Sequence, residues 1–112
     1  MTSTNIKNLP EGRNYFTEIG YSQSYPWVEI ARTPSGKTVT LQKVKVVKDP
    51  DWKPEWYAGG FAAHCANQSS QTWLYDGDAD YTVKIRMTKN GWKKGSCRFD
   101  EGRANEFYDY NF

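Results

Sequence analysis

Between Tyr81 and Thr88 the chain alternates without a break. Tyr81, Val83, Ile85 and Met87 are large and mostly apolar, and Thr82, Lys84, Arg86 and Thr88 are polar. Side chains on a strand point to opposite faces with a period of two, so this segment reads as a half-buried strand with a basic outer face. Asn90-Gly91 follows at once, a pair that favours a tight hairpin because both residues tolerate positive φ. The chain then returns over residues 92–99. An antiparallel pair is thereby set in the C-terminal half, and the rest of the fold has to accommodate it.

Other segments agree with a β-rich fold. In residues 25–32, Trp27, Glu29 and Ala31 share one parity, and Val28, Ile30 and Arg32 share the other. Pro34 and Gly36 within residues 33–37 supply the fixed φ and the positive φ of a hairpin connection. The return strand covers residues 38–48. Val39 and Leu41 lie on one face, whereas Val44 and Val46 lie on the other. This apolar phase slip at Gln42-Lys43 predicts a bulge, or a strand that bends between two faces of a curling sheet. Residues 72–75 read as a short strand ended by an Asp76-Gly77 turn. A helical turn is expected over 101–106, and the aromatic end of the chain is expected to pack its rings onto the sheet. The predicted architecture is all-β: a small curled antiparallel sheet or barrel with at most a short helix.

The chain has 112 residues and reads as one domain, 14–112, preceded by a flexible arm over 1–13 that carries Pro10 and Gly12. Residues 49–71 read as a long aromatic loop, broken by Pro50, Pro54, Gly59 and Gly60, with room for a short helix over 61–66. No apolar run is long enough to span a membrane, and the polar start lacks the apolar stretch of a secretory signal, so a cytoplasmic location is expected. In that compartment Cys65 and Cys97 are expected as free, buried thiols.

Charge is segregated along the chain. From Tyr81 to Phe99 there are six basic residues and no acid; from Asp49 to Asp80 there are six acids and one base. The net charge of +2 conceals this. Separate basic and acidic surfaces suit steered binding better than buried chemistry. Catalytic and metal motifs are weak by comparison. His64, Cys65 and Cys97 give three soft ligands, two of them adjacent, where structural zinc takes four. The Asp76–Asp80 acidic run places Tyr81 and Met87 where a calcium loop needs Gly and Glu. There is one His, no nucleophile elbow and no phosphate-cradling glycine loop. The chain reads as a binding protein rather than an enzyme, calling for no cofactor and no metal.

Two surfaces compete for that role. In one, Trp52, Trp56, Tyr57 and Phe61 anchor a protein partner within a rim of Asp49, Asp51 and Glu55, whose carboxylates occupy sites made for phosphates. The same rings could instead plug the barrel. In the other, Lys84, Arg86, Lys93, Lys94 and Arg98 surround Trp92 and form a basic face with a stacking ring for nucleic acid. The bland alternative is a solvated sheet edge.

Residues 33–41 after a Val/Ile strand, the 89–93 turn, Gly102-Arg103 and the ending Glu106–Phe112 together resemble a group of small phage and prophage proteins of unassigned function. The likeness runs from Val28 onward and omits residues 49–71. It implies a compact β-barrel of the Src-homology type. It further implies a non-enzymatic protein acting against host defence in the bacterial cytoplasm, with a CRISPR effector nuclease or its guide-RNA complex as the expected partner. No site residue is carried over from this resemblance.

Overall fold

The computed structural model describes residues 4–59 and 62–111, with side chains outside 57–64. The fold is all-β. Six strands close into an antiparallel barrel in the order β2 (Tyr15–Ile19), β3 (Ser24–Arg32), β4 (Thr38–Lys48), β7 (Trp73–Thr88), β8 (Gly91–Lys94) and β9 (Cys97–Glu101), with β9 returning to β2. Closure removes the sheet edges that an open sheet would present. A short β1 (Ile6–Lys7) adds to β7 in parallel. A separate two-stranded sheet is formed by β5 (Trp56–Gly59) and β6 (Ala62–Cys65), followed by a 3-10 turn over Gln68–Ser70.

Two of the three connections predicted from turn chemistry form, β3–β4 and β7–β8. Thr33 N–H donates to Thr38 O at 3.0 Å across the β3–β4 turn, where Gly36 takes φ +74°. Thr88 faces Gly91 across the β7–β8 turn, and Gly91 takes φ +103°. Residues 92–99, expected as one strand, are instead two, β8 and β9, joined at Gly95-Ser96. Asp76-Gly77 does not end a strand. It lies inside the sixteen-residue β7, as a bulge that Gly77 admits with φ +92°. Gln42 faces Thr82, Val44 faces Asp78 and Val46 faces Tyr75, so β7 holds extra residues on both sides of Asp78. Such bulges raise the local twist and help the sheet curl.

The apolar phase slip in β4 separates two cores. Val39 and Leu41 point into the barrel with Phe16, Trp27, Val83, Ile85, Trp92 and Phe99. Val44 packs on the opposite face of the wall with Ile6, Tyr15, Val28, Trp73 and Ala104. Trp27 and Val28, adjacent in sequence, are therefore both buried.

The second core needs a cover, and the ends of the chain supply it. Residues 4–13, within the expected flexible arm, are docked: Ile6 is 3% exposed, Thr4 Oγ1 donates to Ala104 O, and Tyr15 OH donates to Pro10 O at 2.5 Å. The reason is the apolar outer face of β2, β3 and β4, which the arm keeps from water; burying Ile6 contributes about 1.5–3 kcal/mol. The expected helical turn over 101–106 is absent. Gly102, at φ +100°, turns the chain into an extended strap. One backbone bridge, between Ser24 and Phe107, and a set of amide side chains hold that strap, since each amide offers one donor and one acceptor edge to a backbone unit. Asn5 bonds both N–H and C=O of Glu106, at 3.1 and 2.6 Å. Gln71, 2% exposed, does the same for Tyr108 at 2.8 and 3.0 Å. Asn111 does so for Cys65 at 2.8 and 3.1 Å.

Candidate functional site

The acidic, aromatic segment forms a structured flap, not the irregular loop expected. Part of the helix considered for 61–66 is strand β6. Asp49 is 2% exposed and bound on three sides. Lys7 Nζ lies at 2.7 Å, Thr72 Oγ1 donates at 2.7 Å, and the Asp51 N–H donates at 3.0 Å. The Lys7 hydrogen bond, then the Asp51 N–H and Thr72, hold its carboxyl down at about 2. This corrects its expected role: a carboxylate enclosed in this way ties the arm to the start of β7 and cannot imitate a phosphate. Asp51 is exposed, 3.8 Å from Lys7, and Glu55 is exposed.

The rings of this region are partly used by the fold. Trp52 Nε1 donates to Ser70 Oγ at 3.1 Å, and its ring lies 5.4 Å from that of Tyr110. Trp56 is 49% exposed and meets Tyr110 edge-on at 6.1 Å. Tyr108 stands edge-on to Tyr110 at 4.9 Å. Tyr110 therefore packs on the flap, and with Tyr108 it enlarges the patch expected from Trp52 and Trp56. The Tyr57 side chain and Phe61 lie outside the described residues.

The basic segment is arranged differently. On β7, Val83 and Ile85 point inward, so Lys84 and Arg86 point outward and are exposed. Trp92 on β8 and Phe99 on β9 are buried, which turns Lys93 and Arg98 outward. The register then aligns them: Arg86 faces Lys93, and Lys93 faces Arg98. Three cations form one row across three neighbouring strands, spaced by the inter-strand distance of about 4.8 Å. Lys84 flanks the row, and the β4 residues beside Lys84 and Arg86 are Thr40 and Thr38. No ion pair among the described residues involves Lys84, Arg86, Lys93, Lys94 or Arg98. Asp100, the next outward residue on β9, faces Arg103 at 3.5 Å.

Trp92 does not stand among these cations. It is 5% exposed inside the barrel, edge-on to Phe16 at 5.8 Å. Its Nε1 donates to Glu101 at 3.1 Å, and the Arg32 guanidinium lies 5.3 Å from its ring. This corrects its expected role as a stacking ring: the parity that turns Lys93 outward turns Trp92 into the core.

The exposed ring near the basic wall is Tyr81, which sequence reading assigned to the buried face. It is 59% exposed, at the open end of the barrel, 5.9 Å from Trp27. Its inward parity was legible, and so was an irregularity at Gln42-Lys43, but not that the extra residues would lie on β7, between Asp78 and Thr82 beside Tyr81. Cys97, expected buried, is exposed at the same end; Cys65 is buried, and both thiols are free.

A third cluster was not anticipated. Lys43 Nζ lies 5.0 Å from the Tyr25 ring and 5.4 Å from the Trp27 ring, and burial pulls its pKa down. Burial raises the Glu106 carboxyl to about 7 against the opposing attraction of Lys43. Both groups line an open cleft with Tyr25, Val46 and Trp73.

No protein-family model matches the chain, and comparison with curated proteins and with solved structures gives no match.

Proposed function

We propose that this is a non-enzymatic nucleic-acid-binding β-barrel whose binding face is the outer wall of β7, β8 and β9. The observation that carries the reading is the row Arg86–Lys93–Arg98 with Lys84 beside it. Like charges set directly opposite one another on a sheet are destabilising. A stability argument would place an acid in such a row. Here no acid stands in the row, the nearest outward acid on β9, Asp100, is engaged by Arg103, and the row is unpaired among the described residues. A phosphate backbone supplies the missing counter-charge, with the gain that comes from releasing its condensed ions.

The test is binding of labelled single-stranded DNA, duplex DNA and structured RNA over a range of salt. Three to four phosphate contacts give a slope of log K against log salt of about −2 to −3 for a single strand. Lys93→Glu with Arg98→Glu should abolish binding while the barrel stays folded. Binding that is unchanged in this variant removes the row from the reading.

A second reading is favoured by the exposed rings on the flap. Trp56 and Tyr108, backed by Trp52 and Tyr110, with Asp51 and Glu55 at the side, form an anchor patch with a charged rim. In this alternative a phage-borne protein inhibits host defence by occluding a CRISPR effector nuclease. Capture of such an effector by the wild type, lost in Trp56→Ala and kept in Lys93→Glu with Arg98→Glu, would support it over the nucleic-acid reading.

A further inference from the structure

We infer that the open mouth of the barrel is a base-binding pocket, taking an unpaired nucleobase of a single strand whose phosphates lie along the Arg86–Lys93–Arg98 row. This rests on the nucleic-acid reading above and adds to it the class of nucleic acid and the stacking residue.

The barrel is plugged at one end and open at the other. At the plugged end Trp92, Arg32, Glu29, Glu101 and Asn14 are joined by hydrogen bonds. At the open end a cavity of about 460 Å³ lies between the walls, in the size range of small-ligand sites. Trp27 and Phe99 line it, meeting edge to face at 6.2 Å. Tyr81 stands at its rim, more than half exposed and leaning on Trp27. Lys94, Ser96 and Glu18 supply polar groups around it, with Glu18 fixed by the Trp27 indole N–H at 2.9 Å. An aromatic recess with a polar edge suits a flat heterocycle better than an aliphatic chain.

The mouth and the cation row are contiguous, which identifies the occupant. Lys94 lines the mouth, and its neighbour Lys93 is the centre of the row; Cys97 lines the mouth, and its neighbour Arg98 ends the row. Only one residue of chain, about 3.3 Å of strand, separates them on each side of the β8–β9 turn. A nucleotide with its phosphate at Lys93 and Arg98 can therefore turn its base over this connection into the mouth that Tyr81 also lines. In a duplex the base faces are stacked and unavailable, so the pocket selects single strands.

The experiment measures affinity for three probes: a labelled oligothymidine strand, the same strand with abasic sites in place of its bases, and thymidine monophosphate. Tyr81→Ala should weaken the intact strand by about five- to a hundredfold, the range of one base stacked on one ring. It should leave the abasic strand unchanged, and Tyr81→Phe should restore the loss. Exposed Cys97 gives a check without substitution: the intact strand should slow its alkylation and the abasic strand should not, while buried Cys65 stays silent. Equal affinity of wild type for intact and abasic strands, both lost in Lys93→Glu with Arg98→Glu, overturns the pocket and leaves the cation row standing. Monophosphate binding as tight as the strand overturns the assignment to a strand. A wild type that binds none of the probes overturns both the pocket and the nucleic-acid reading.

Discussion

The strap-and-flap layer and the β7–β8–β9 wall are both rich in charge and polar side chains, yet they use them in opposite ways. In the first, the enclosed polar groups have partners within the chain: Asp49 has Lys7, Thr72 and the Asp51 N–H, and Gln71 satisfies Trp73, Tyr108 and Gln68 at once. In the second, cations are brought side by side and left facing solvent. Polar groups that are enclosed hold a fold together, since an unpaired one would be costly. Charges that are aligned and open do nothing for the fold and are available to a ligand.

The largest expected effect sharpens the structural half of this contrast. Gln71→Ala leaves the Trp73 indole N–H and both backbone groups of Tyr108 without partners, and should cost about 3 kcal/mol or more in urea unfolding. Ile6→Ala should cost about 2–5 kcal/mol by opening the second core, which a merely flexible arm would not do. Loss of less than about 0.5 kcal/mol, the range of an ordinary surface change, would break the comparison.

Two carboxylates of this layer should titrate with opposite sign. Asp49 is held below its ordinary 3.8, so its contribution is present above that pH and is lost as pH falls toward about 2. Asp49→Asn should remove this acid-limb dependence from thermal melts. Glu106 is raised from 4.5 to about 7, so the folded state holds the extra proton and stability declines as pH rises across that window. Glu106→Gln should raise the melting temperature at pH 8 relative to wild type and flatten the profile between pH 5 and pH 8. An unchanged profile would mean that Lys43 fully compensates the burial.

The smallest stability effects belong to the wall. Lys93→Glu with Arg98→Glu should leave the unfolding free energy within about 0.5 kcal/mol of wild type, or raise it slightly, because position 93 then attracts Arg86 while the 93/98 pair stays like-charged. A strong destabilisation would show that the row serves the fold. Trp56→Ala should cost about 1 kcal/mol or less, since its ring is half exposed, and circular dichroism melts would separate this from a core role.

Much of the barrel was legible in the sequence because its signals are local. The alternation over 81–88, the turn at Asn90-Gly91 and the Pro34/Gly36 connection each fix a strand or hairpin within a few residues. The slip in apolar phase between Leu41 and Val44 was legible as well, and it marks the place where β4 passes from one core to the other. Lys84 and Arg86 could be placed on an outer face from parity, whereas Lys93 and Arg98, of opposite parity in the single strand expected over 92–99, could not. Their union into one row could not, because that depends on the registers of β7 with β8 and of β8 with β9, and on the unsuspected break at Gly95-Ser96.

The sequence by itself determined an all-β chain, the hairpins at Pro34/Gly36 and Asn90-Gly91 and the separation of acids from bases, since period-two patterning and turn chemistry act over short range. Tertiary structure alone decided which of those groups are free. Asp49 became enclosed because Lys7 arrives from the other side of the β7 strand's start, Trp92 became core because closure gives β8 an inside, and Tyr81 came to the rim because a bulge in β7 sits at the barrel's open end. Burial and pairing are set by residues distant in sequence, and no local pattern carries that information.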